Sequence, residues 1–188
     1  MIHPNMATML VFLTTDAAIS ADLLHQALLH DVQKTFNMLS VDGDTSTNDM
    51  VVLLANGLAG NEEVTDVASP DFAAFMQALN TLTIQICRSI AGDGEGATKL
   101  LECRVTGASS PETASVAAKS VITSSLVKAA MFGADANWGR VLCALGYCGA
   151  NLDVNKIDVS FVSPAGRVDV CKNGAGIPFS EETAKKVL

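Results

Sequence analysis

The feature that most narrows the fold is an apolar run near the start of the chain, Thr8 to Thr15, in which Met9 to Leu13 follow one another without polar alternation. Such a run reads as a strand buried on both faces, which needs a covering layer above and below it. The approach to it is stiff, because Pro4 fixes its own φ and biases His3 toward extended geometry. Thr8 stands at the head of the run behind the small Ala7. A threonine there is either an ordinary strand residue or the nucleophile of a self-cleaving hydrolase. In the second case its hydroxyl attacks the carbonyl of Ala7, the amide shifts to an ester, and water releases Thr8 with a free α-amine. That amine, with a reference pKa of about 8, is then the general base for its own hydroxyl.

The balance of residue types limits the partners. The chain has 188 residues, enough for one sizeable domain with a real core. Apolar residues make up 49% and charged ones only 17%, against roughly 25% in ordinary soluble domains. Either the core is unusually large for the surface, or part of the surface is covered by another chain, and the second fits a half-molecule better. A net charge of −8 argues against nucleic acid or an anionic membrane, since no basic cluster exists to neutralise phosphates. No apolar run approaches the roughly 20 residues of a spanning helix, and the opening residues lack the charged start of a secretory signal. The five cysteines, Cys87, Cys103, Cys143, Cys148 and Cys171, form no Cys-x-x-Cys pair and read as buried reduced thiols of a cytoplasmic protein.

Helix signals punctuate the rest. Ser20 caps a helix with an apolar row at Leu24, Leu28, Val32 and Phe36, and His25 and His30 on it read as surface residues. The polar run Ser40 to Asp49 alternates like a calcium loop. Thr47 replaces the glycine and Leu53 the glutamate that such a loop needs, so it reads instead as a turn ahead of a strand, Met50 to Ala55, with no catalytic role. Ser69-Pro70 opens a second helix with Phe72, Phe75, Met76, Leu79, Ile86 and Ile90 on its apolar face. It stops at Gly92-Asp93-Gly94-Glu95-Gly96. This loop follows a helix and carries two carboxylates, so it does not suit phosphate. Its glycines allow close approach of Glu95 to a ligand, and a carboxylate so presented suits a cationic amine, the bland alternative being a solvated acidic loop.

Leu100 to Thr106 reads as a strand, and Ser110-Pro111 opens a third helix that runs to a stop at Gly133. Trp138 reads as a core or interface anchor, and Val141 to Phe179 as short strands with a hairpin signal at Asn173-Gly174. Ser180 caps a terminal helix. Helices alternating with antiparallel-looking strands give an α+β layered fold, in one domain or two packed lobes.

Four stretches together resemble the ornithine acetyltransferase family of bifunctional arginine-biosynthesis enzymes: Met1 to Leu10, Ser40 to Asp49, Gly92 to Lys99 and Phe132 to Arg140. The resemblance implies an αββα-type core with a smaller α/β lobe in a threonine-nucleophile, self-cleaving family. It implies residues 1–7 as the tail of a first-chain segment ahead of the cleavage point, and 8–188 as the second-chain domain, incomplete at its C-terminus. The implied reaction is acetyl transfer from N-acetylornithine to glutamate through an acetyl-threonine intermediate after cleavage at Ala7-Thr8. Thr8 would be nucleophile and substrate contact, and Glu95 a substrate contact. No organic cofactor or metal is implied; some members also accept acetyl-CoA, and the residues leave open whether this chain does. The expected partner is the first (α) chain of the same precursor, in an α2β2 heterotetramer.

The family's enzymes carry a segment ahead of the cleavage point, with oxyanion-hole donors, and a C-terminal stretch that binds substrate; this chain contains neither, so it is not expected to be fully competent alone. Two other classes stay open: a related threonine-nucleophile aminopeptidase and a non-catalytic folded fragment.

Overall fold

The two strands of the first half, β1 (Leu10–Thr15) and β2 (Met50–Ala55), pair in parallel, from Leu10 opposite Met50 to Thr15 opposite Ala55. The computed structural model describes residues 9–41, 47–94 and 96–188, and the chain divides at Ala97/Thr98 into two units, each with its own hydrophobic core. The first strand pair corrects the antiparallel expectation. Parallel neighbours need a crossover, and α1 (Ala21–Lys34) lies in the connection, with Ser20 Oγ accepting the Leu23 N–H at 3.4 Å.

The buried face of α1 is Leu23, Ala27 and Asp31, one residue before the row read from the sequence. Phe36 is buried as expected, while Leu24 and Val32 flank the core. α2 (Pro70–Gly92) starts as its Ser-Pro signal requires: Ser69 Oγ accepts the Phe72 N–H at 3.1 Å. It buries Phe72, Leu79, Thr83 and Cys87, with Phe75, Met76, Ile86 and Ile90 packed beside them. Asp31, only 1% exposed, ties the two helices together. Asn80 Nδ2 donates to its Oδ1 at 2.8 Å, and the Thr35 hydroxyl lies 3.3 Å from its Oδ2. Those bonds offset the cost of taking a carboxylate out of water.

The sheet is covered on one face only among the described residues. Val11 and Leu13 are buried and Val51 and Leu53 half-buried on the side of the helices, whereas Leu10, Phe12 and Leu54 are 56%, 61% and 55% exposed. This corrects the expectation of a strand buried on both faces. The period of two is that of a half-covered sheet, and its outer face is as apolar as its inner one.

The second unit holds four helices and an antiparallel sheet. The stretch Leu100 to Thr106 is not a strand: Leu101 and Cys103 lean on the core in alternation, but no ladder partner lies beside it among the described residues. The single helix expected after Ser110 is two, α3 (Pro111–Thr123) and α4 (Ser125–Phe132). Ser124 breaks them because its backbone is extended and its hydroxyl accepts the Val127 N–H at 3.3 Å, a cap in place of a continued helix. The strands expected from Val141 begin later, since Trp138–Gly146 is α5, started by Asn137 Oδ1 accepting the Arg140 N–H at 3.1 Å.

The sheet is β3 (Val159–Ser163), β4 (Gly166–Lys172) and β5 (Ala175–Gly176), in that order. Asn173 and Gly174, at φ 49° and 74°, make the two-residue turn between β4 and β5, as the Asn-Gly pair predicts. α6 (Glu181–Val187) follows, with Ser180 Oγ accepting the Thr183 N–H at 3.2 Å. Trp138 packs on this core directly over Gly176, where a Cβ would overlap the indole. No helix among the described residues is long and apolar enough to cross a membrane.

Candidate functional site

Ala7, Thr8 and Glu95 lie outside the described residues, so the site is built from what adjoins them. Met9, the residue after Thr8, is held from both sides. Its N–H donates to Asp49 Oδ1 at 2.9 Å, and its carbonyl accepts the Met50 N–H at 2.9 Å. Asp49 immediately precedes β2 as Met9 precedes β1, and the parallel register brings the two side by side. The first two of the four motifs therefore meet at Asp49 and Met9. In the sequence the stretch that holds Asp49 reads only as a turn. The signal available was its position one residue before a strand that matches β1 in length and character. Its second oxygen, Oδ2, is buried and has no hydrogen-bond partner among the described residues.

The third motif begins in the first unit and ends in the second, where its last residue, Lys99, meets the fourth. On the glycine-rich loop the Ala97 N–H donates to the Gly94 carbonyl at 2.8 Å, and Gly96 takes φ 71°, open to glycine at little cost. At the end of that motif, Lys99 Nζ donates to the Met131 carbonyl at 2.6 Å, just ahead of Phe132. The Phe132–Arg140 stretch turns through Ala134 at φ 51°, and Asn137 both caps α5 and donates from Nδ2 to Asp135 Oδ2 at 3.0 Å. Arg140 reaches back to the Leu126 carbonyl at 2.9 Å. These bonds hold one loop's exit and another loop's turn to a single helix, α4.

Other chemistry finds little footing. Burial, with the Asp31 charge behind it, pushes the Cys87 thiol up to about 12. Burial pushes Cys103 up to about 11 and raises Cys171 as well, there helped by the charge of Asp158. Thiols so shifted stay protonated at neutral pH and are poor nucleophiles. Only Cys87 and Cys171 are fully buried; Cys103 and Cys148 are half-buried and Cys143 is exposed, off the Val141–Ala144 face by which α5 packs, which corrects the expectation that all five are buried. His25 and His30 are exposed, and His30 Nε2 lies 2.9 Å from Lys34 Nζ. Among the described residues no three His, Cys, Asp or Glu side chains gather as a metal set. A hollow of about 500 Å³ along α2 is lined by Ala74, Gln77, Ala78, Thr81, Leu82 and Gln85, with no titratable group to act on a substrate.

Comparison with known proteins bears on the whole length. The family described as the ArgJ family matches residues 1–188. The chain is 57% identical over all its 188 residues to the arginine biosynthesis bifunctional protein ArgJ 1 of Clostridium acetobutylicum, of which it covers 46%. It is 49% identical to the corresponding protein of Thermotoga neapolitana, covering 47%. The crystal structure of the arginine biosynthesis bifunctional protein from Bacillus halodurans superposes with a TM-score of 0.88 at 48% identity, over 95% of this chain and 81% of that one. The chain thus spans about half the length of the curated relatives it matches.

Proposed function

The chain belongs to the ArgJ family, and on that premise we propose that it is part of an enzyme of arginine biosynthesis that moves an acetyl group from N-acetylornithine to glutamate. Thr8 is the nucleophile, freed by cleavage of the Ala7-Thr8 bond. Its α-amine takes the hydroxyl proton as Oγ attacks the acetyl carbonyl, and returns it to the departing ornithine amine; glutamate then takes the acetyl group from Oγ in the reverse of that step. Glu95 is the counter-charge for a substrate ammonium. The exchange needs no organic cofactor, with acetyl-CoA an additional donor of some family enzymes.

The observation that carries this reading is the family match across residues 1–188, which takes in the opening stretch as well as the three later motifs. The geometry supports it at one point: Met9, next to Thr8, is pinned by Asp49 at the head of a parallel strand pair. The bare face of that pair supports the finer fold reading. Leu10, Phe12 and Leu54 face outward, as they would if a second sheet, from a first chain of the same precursor, completed an αββα sandwich. We accordingly propose that the 188-residue chain alone does not turn over, and that the active form is an α2β2 heterotetramer in the cytoplasm.

The test is acetyl exchange measured on the protein expressed at the full length of its relatives, with N-acetylornithine as donor and labelled glutamate as acceptor. Label should appear in N-acetylglutamate with wild type and not with Thr8→Ala. Exchange that survives in Thr8→Ala, or release of amino acids from peptide amides without acetyl exchange, would contradict the reading.

A further inference from the structure

We propose that the outward face of helix α2 is where two copies of this chain meet, pairing antiparallel across a two-fold axis. The proposal deepens the heterotetramer reading above and rests on it, because it names the surface that joins the two halves.

Helix α2 (Pro70–Gly92) has 23 residues and no charged side chain between Asp71 and Arg88. One side of that stretch is taken up by the first unit's core, where Phe72, Leu79, Thr83 and Cys87 are buried. The opposite side is exposed and carries Ala74, Gln77, Ala78, Thr81, Leu82 and Gln85. Their spacing of three and four residues sets them in one row along the helix. A helix that faces water normally carries charge on its outer side. α6 does so, with Glu181, Glu182, Lys185 and Lys186 exposed. The row on α2 has none, and Leu82 on it is 47% exposed.

The row is complementary to itself. Two such helices, antiparallel about an axis between Leu79 and Asn80, bring Ala78 of one copy opposite Thr81 of the other. Small residues then stand at the crossing, where side-chain size sets how closely two helices approach. Outward from there Gln77 meets Leu82, and Ala74 meets Gln85, along a hollow of about 500 Å³. Beyond these Asp71 meets Arg88, and a two-fold contact repeats that opposite-charge pair at the other end. A first-chain sheet would stack on Phe12 and Leu54, which face away from the helices. It would lie on the far side of β1 and β2 from this row, which leaves the row to a second copy.

The test uses the protein at the full length of its relatives, as wild type, Ala78→Cys and Ala78→Arg. Wild type should sediment with two copies of this chain per particle. Ala78→Cys, treated with a bis-maleimide spanning about 8–10 Å, should give a covalent pair of this chain joined through position 78 by peptide mass. Ala78→Arg puts two like charges at the crossing. Its dissociation constant for the two-copy particle should rise about a hundredfold or more, since an uncompensated charge is costly to bury. A particle unaffected by Ala78→Arg would overturn the proposal. So would failure to link, whether the introduced thiol reacts freely with a monofunctional maleimide, as on an open face, or resists it, as under some other segment. If Ala78→Arg does not fold, the cross-link decides alone. One copy per particle in wild type removes the heterotetramer reading and this proposal together; two copies without a link at position 78 remove only this proposal.

Discussion

Lys99 Nζ sits 2.6 Å from the carbonyl of Met131 in the last turn of α4, a carbonyl that also accepts the Ala134 N–H at 3.1 Å. The last carbonyls of a helix lack partners within it, and a cation there also meets the negative end of the helix dipole. Lys99→Met keeps the aliphatic stem and removes the charge. It should lower stability by about 1 kcal/mol, the modest end for a charged hydrogen bond because Lys99 is exposed. Urea unfolding of wild type and variant at matched pH checks this. Equal midpoints would mean the bond contributes nothing.

Gly176 lies beneath the indole of Trp138, so closely that an added Cβ would overlap the ring. Gly176→Ala must push the indole out of the second unit's core or shift β5. Overpacking of this kind costs about 1–3 kcal/mol. Trp138 is the chain's single tryptophan, so its emission reports the displacement directly. A variant with unchanged emission and unchanged thermal midpoint would contradict the packing described.

The outer face of β1 and β2 gives a prediction that separates two settings. Phe12→Thr with Leu54→Thr replaces two large apolar side chains, 61% and 55% exposed in this chain, by a residue that still favours strand. In the isolated 188-residue chain the pair should reduce self-association and binding of a hydrophobic dye with little loss of stability. At the full length of the relatives the same changes should destabilise, by roughly 1.5–3 kcal/mol for each side chain that a covering sheet buries. Sedimentation and denaturant unfolding read the two cases. A wild-type chain that sediments as a compact monomer at micromolar concentration would count against a covered face.

What was legible in the sequence was local. Ser20, Ser69, Ser110 and Ser180 announced helix starts, and all four cap through the hydroxyl. Asn173-Gly174 announced its turn, because only a few residue types accept two positive φ values in succession. What was missed depended on distant partners. Burial of Phe12 is decided by whether a layer lies above it, and the strand expected at Leu100 to Thr106 has no neighbour to pair with among the described residues. The role of Asp49 at Met9 is not legible locally for the same reason, its partner being 40 residues away. The break at Ser124 is different: a serine sits inside a helix or caps one, and here its extended backbone and its hydroxyl bond to the Val127 N–H decide for the cap.

On the proposed function, Thr8 opens a new chain by cleaving its own upstream bond and then carries the acetyl group. Intact-mass measurement of the protein at the full length of its relatives, purified as wild type and as Thr8→Ala, tests it most directly. Wild type should give two fragments whose junction is Ala7-Thr8, with the fragment that begins at Thr8 gaining one acetyl group on brief exposure to N-acetylornithine. Thr8→Ala should give one uncut mass. A wild-type protein that stays intact, or a Thr8→Ala protein cut at the same bond, would contradict the account.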